Sequence, residues 1–67
     1  MSRPAYYKGF YIHQFGELFP YHLIMREGEN DWLQIPFESV DEAKECIDQM
    51  VGTGKQAWCE NGRIIYR

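Results

Sequence analysis

The spacing of apolar positions changes from alternating to helical and back along the 67 residues, and those changes mark out the elements. From Tyr6 to Phe15, aromatic and β-branched residues mix with polar ones as in a strand, and Tyr21–Arg26 and Trp32–Phe37 repeat that character. Gly16-Glu17-Leu18-Phe19 before Pro20, and Glu27-Gly28-Glu29-Asn30-Asp31, read as the turns between them. Between Glu38 and Val51 the period becomes helical, with Val40, Ala43, Ile47, Met50 and Val51 in one apolar stripe. Ser39 followed by Glu42 has the spacing of a capping box, and Gly52 suits a left-handed C-terminal cap. Farther on, Asn61-Gly62 between Gln56–Glu60 and Arg63–Arg67 signals a two-residue hairpin with Glu60 opposite Arg63.

These elements predict a single small α+β domain over residues 1–67: an antiparallel sheet in the order β-β-β-α-β-β, with one amphipathic helix packed on one face. The last hairpin either extends that sheet or wraps an edge. A four-residue loop after Phe15 would set Phe15 against Pro20, His13 against His22 and Tyr11 against Ile24. Pairing Arg26 with Trp32 across the second loop then sets Met25 against Leu33. Alternation places Phe10, Ile12, Tyr21, Leu23, Met25, Leu33, Ile35 and Phe37 toward the helix, and Tyr7, Gly9, Tyr11, His13, His22, Ile24, Arg26, Trp32 and Gln34 away from it.

A chain this short buries only about 60% of its unfolded surface, so a 16% aromatic content adds needed bulk to a thin core. Two cysteines make no disulfide framework, and neither a signal-type nor a membrane-spanning apolar run is present, so cytoplasmic residence is expected. The net charge of −3 conceals an acidic middle: residues 17–51 hold nine acids against Arg26 and Lys44, while both flanks are basic. That sign disfavours nucleic acid as a ligand of the middle and favours a basic partner, or a solvated face.

Gly52-Thr53-Gly54-Lys55 lacks the spacing and strand-to-helix position of a phosphate loop and reads as helix termination. His13, His22, Cys46 and Cys59 have zinc-ligand chemistry without zinc-ligand spacing, so neither metal nor other cofactor is expected. Ser39 is committed to capping, Ser2 lies in the terminus and Cys59 has no predicted histidine neighbour; no enzyme is expected. Two binding surfaces stand out instead. Glu38, Asp41, Glu42, Glu45 and Asp48 gather on the helix, and Glu27, Glu29 and Asp31 join them if loop and helix share a side. The helix alone spaces its charges roughly 4 to 5 Å apart against about 1.7 Å for duplex DNA, so mimicry of DNA needs the loop acids as well. Tyr7, Tyr11 and Trp32, with Arg26 and Lys8, form a second surface that would stack unpaired bases, dock a protein or be covered by the terminal hairpin or a second copy.

Tyr7-Lys8-Gly9-Phe10-Tyr11-Ile12 as an opening strand, and Phe37-Glu38-Ser39-Val40-Asp41-Glu42-Ala43-Lys44-Glu45-Cys46-Ile47-Asp48 as a strand end entering a helix, cover 18 of the 67 residues. Both segments resemble small accessory proteins of phages and mobile elements, of the anti-CRISPR type. The resemblance implies a non-enzymatic inhibitor in the host cytoplasm, monomeric, that blocks DNA recognition by binding a basic, nucleic-acid-binding groove of a defence protein such as a CRISPR effector subunit. It assigns the contacts to Glu38, Asp41, Glu42, Glu45 and Asp48. The alternatives are a single-stranded nucleic-acid-binding module using the aromatic sheet face and a homodimeric accessory protein.

Overall fold

A computed structural model describes residues 4–18 and 20–67. The expectations for Ser2 and Phe19 lie outside them. The fold is α+β in the order β-β-β-α-β-β, with five strands in two antiparallel sheets and one helix. β1 (Ala5–Tyr7), β2 (Phe10–Phe15) and β3 (Tyr21–Arg26) form the first sheet; α1 (Val40–Thr53) follows, and β4 (Ala57–Glu60) and β5 (Arg63–Tyr66) form a separate hairpin.

The single opening strand expected over Tyr6–Phe15 is two strands. Lys8 and Gly9 adopt φ of 47° and 87°, a tight hairpin turn that sets Tyr7 opposite Phe10. In an unbroken strand, Tyr7 and Phe10 would point to opposite faces; across a two-residue turn they share one. Trp32–Phe37, expected as a strand, meets β3 only through the His22–Phe37 bridge and one bond from Leu33 N–H to the Ile24 carbonyl. Its backbone is too irregular to extend the ladder.

The register of β2 against β3 also differs by one residue, because five residues rather than four separate the strands. Phe15 faces Tyr21, Gln14 faces His22, His13 faces Leu23 and Ile12 faces Ile24. A one-residue slip exchanges the two faces of β3. Ile24 is therefore fully buried beneath the helix with Phe10 and Ile12, whereas Leu23 and Met25 stand half-buried on the other face. Ile35, Phe37, Ala43, Cys46, Ile47, Met50 and Ala57 complete the core.

Ser39 caps α1, its hydroxyl accepting from Glu42 N–H at 3.2 Å, while the Glu42 carboxylate accepts from Glu38 N–H at 3.0 Å. The helix runs past Gly52 and closes at Gly54, whose φ of 69° gives the left-handed cap and whose N–H reaches the Met50 carbonyl. Thr53 postpones the stop by turning its hydroxyl back to the Gln49 carbonyl at 2.6 Å. Val51, assigned to the buried stripe, is 51% exposed; Cys46 takes its place. Among the described residues, no helix is long and apolar enough to cross a membrane.

Candidate functional site

The acids of α1 do not act as one group. Asp48 Oδ1 accepts from Lys8 Nζ at 2.6 Å and from the Tyr7 hydroxyl at 2.9 Å. The ammonium and then the phenol hold the Asp48 carboxyl below its usual range, and Asp48 raises Lys8 in return. Lys8 and Lys44 both lie over the Tyr7 ring, 5.3 and 5.4 Å from its centroid. With Glu42 engaged at the cap, Glu38, Asp41 and Glu45 remain exposed carboxylates with no ion pair among the described residues.

The loop acids stand elsewhere. α1 starts next to Phe37, which is bridged to the first turn of β3 at His22, and it ends beside Phe10 and Arg26, where a cleft is lined by Met50, Gly54 and Gln56. Glu27 leaves β3 at that far end, its N–H on the Gly9 carbonyl at 2.9 Å. A 14-residue helix is about 21 Å long, so Glu27, Glu29 and Asp31 lie a helix length from Glu38 and Asp41. Glu27 accepts from the Tyr6 hydroxyl at 2.9 Å, and Glu29 faces Arg26 at 3.9 Å. The continuous acidic side that duplex mimicry requires is not assembled.

A different surface is continuous. On the sheet face turned away from α1, Tyr11, His13 and Phe15 of β2 alternate outward beside Tyr21, Leu23 and Met25 of β3. None of these six is buried, and none carries a charge with histidine neutral. Trp32 closes the patch, with its ring 5.4 Å from Phe15 and 5.8 Å from His13; Phe15 also stacks on Tyr21 at 5.8 Å. Tyr6 extends it edge-on to Tyr11 at 5.2 Å. Pro4, Tyr11, His13, Phe15, Met25 and Trp32 line a shallow depression of about 430 Å³ within it.

Of the aromatic residues singled out from sequence, Tyr11 and Trp32 belong to this face, but Tyr7 packs under the helix and Tyr6 replaces it. Arg26 is likewise on the helix side, its guanidinium 5.4 Å from the Phe10 ring and 3.3 Å from Gln56 Oε1. Phe15 and Tyr21 were missed because the shifted register hides their pairing. For Tyr6 and Tyr7 the readable signal was Gly9 within an apparent strand, which marks a turn or bulge.

The remaining chemistry is dispersed. His13 opens onto the aromatic face, whereas His22, paired with Gln14, turns inward and leaves Nδ1 without a partner among the described residues. Among the described residues, no three His, Cys, Asp or Glu side chains converge as metal ligands. A groove of about 580 Å³ between α1 and β5 has Glu42, Glu45, Cys46, Ile64 and Tyr66 in its walls. Burial pushes the Cys46 thiol up, and burial with the Cys46 contact pushes Tyr66 up to about 12. Both groups are protonated at neutral pH, so neither is an activated nucleophile there. Cys59 is exposed on the hairpin. No family model, curated protein or solved structure matches the chain.

Proposed function

We propose that this chain is a non-enzymatic binding protein that docks a protein partner through the aromatic face of its three-stranded sheet. The observation that carries the reading is an uncharged patch of Tyr11, His13, Phe15, Tyr21 and Trp32, half-buried or exposed, on a domain whose other sheet face carries the core. Tyrosine and tryptophan supply large contact area at low entropic cost, and uncovered apolar patches mark interaction sites. Single-stranded nucleic acid suits the patch less well, because the described cations nearest the sheet, Lys8 and Arg26, are directed to Asp48, Gln56 and Glu29 on the helix side.

A second reading keeps the inhibitor of a basic, nucleic-acid-handling protein, including one of the anti-CRISPR type. Glu38, Asp41 and Glu45 favour it, as exposed carboxylates without intramolecular cations among the described residues. It places the contact on the N-terminal half of α1 alone, with Asp48 and the loop acids outside it.

Paired variants separate the readings. Tyr11→Ser with Phe15→Ser should abolish recovery of the partner from cells that naturally make the chain, with an unchanged far-ultraviolet spectrum. Reversal of Glu38, Asp41 and Glu45 to lysine should leave recovery intact. The opposite pattern transfers the function to the helix, and sedimentation of the purified chain as a dimer would make its own second copy the occupant.

A further inference from the structure

We infer that the outer edge of β4 accepts an extended segment of a partner polypeptide as an added strand, a docking mode that shares only Trp32 with the aromatic face. Gln56 and Arg67 exchange both backbone hydrogen bonds, at 3.2 and 3.0 Å, and this fixes the alternation along the hairpin. Trp58 with Ile65 and Glu60 with Arg63 are the other bonded pairs, so Ala57 and Cys59 turn their N–H and C=O groups away from β5. No hydrogen bond satisfies those outward groups among the described residues. Buried backbone groups are seldom left without partners, and Ala57 is only 1% exposed. Between Ala57 and Cys59 the edge carries no lysine, proline or bulge, and its guards are its shortness, Glu60 at its end and the loop of residues 31–35.

What faces this edge is a groove rather than a strand. Residues 31–35 form its far wall, enclosing about 480 Å³ against residues 56–59. Ile35 anchors that wall in the core, but residues 31–34 are held to β3 by one backbone bond at Leu33, so they can move outward without breaking a ladder. An entering segment meets the exposed backbone of Cys59 first and reaches Ala57 as the wall opens. Its side chains lie against Trp32 and Trp58, the latter 48% exposed. Asp31 is the one formally charged side chain lining the groove. The occupant that fits is therefore an extended apolar segment bearing a lysine or arginine, held by main-chain bonds with side-chain selection superimposed.

The probe is the peptide Ac-Lys-Val-Thr-Val-Thr-Val-NH2, titrated into the full chain under amide hydrogen-exchange NMR. Exchange at the Cys59 amide should slow at least tenfold at saturation, with slowing at Ala57 following. A probe N-methylated at alternate residues, which keeps every side chain but cannot pair on that edge, should give no protection. Replacement of the probe lysine by glutamate should weaken binding severalfold, and Asp31→Asn should remove that difference. Absence of protection at Cys59, or equal protection by the N-methylated probe, overturns the inference. The aromatic face shares only Trp32 with this groove, and the amides of β2 and β3 report on it separately.

Discussion

At Lys8 and Gly9, two residues decide which aromatic side chains the partner meets. Their left-handed backbone folds Tyr7 under the helix and turns Tyr6 outward. Gly9 has open space where a Cβ would sit, so Gly9→Ala tests backbone conformation alone. A left-handed non-glycine residue costs about 1–2 kcal/mol, and a loss of that size in denaturant unfolding is expected. Asp48 supplies the second test at this scale. Its folded pKa is lowered from the usual 3.8, so the ionised carboxylate favours the fold above that value and the contribution is lost as pH falls through the lower folded pKa. Asp48→Asn should therefore be less stable than the parent near neutral pH, with the difference vanishing in acid. A constant difference at all pH values would remove the pairing with Lys8 from the account.

The elements differ in how much of them could be read from sequence, and each difference has a local cause. α1 was legible because Ser39, Glu42 and the apolar stripe all act within a few residues; its stop was misplaced by two because Thr53 extends the last turn. Asn61-Gly62 was legible because its turn fixes its own register. The β2–β3 register was not, since it depends on a loop one residue longer than the shortest reading of Gly16–Pro20. That slip carried part of the site with it, concealing the Phe15–Tyr21 pair and retaining Arg26, while Tyr7 was misplaced by the unread Lys8-Gly9 turn. The corrected register makes a sharp forecast. Ile24→Ala should cost about 2–5 kcal/mol, as large-to-small changes in a packed core do, while Leu23→Ala on the open face should cost clearly less. Equal losses in paired thermal melts would restore the other register.

Taken whole, the molecule is a layer packed on one side only. The helix, residues 35–37 and the start of the last hairpin bury Phe10, Ile12 and Ile24, while the side chains one residue along β2 and β3 stay half-buried or exposed. The acidic charge so evident in the sequence is divided by the fold between the two ends of α1 and partly paired within the chain. An uncharged aromatic face is the continuous unassigned surface, and it is the central claim that a protein covers it. Hydroxyl-radical footprinting of Tyr11, Phe15 and Trp32 tests this most directly, comparing the purified chain with the chain inside the cells that make it. The account predicts ready oxidation of all three in isolation and marked protection in the cell; equal oxidation in both settings would contradict it.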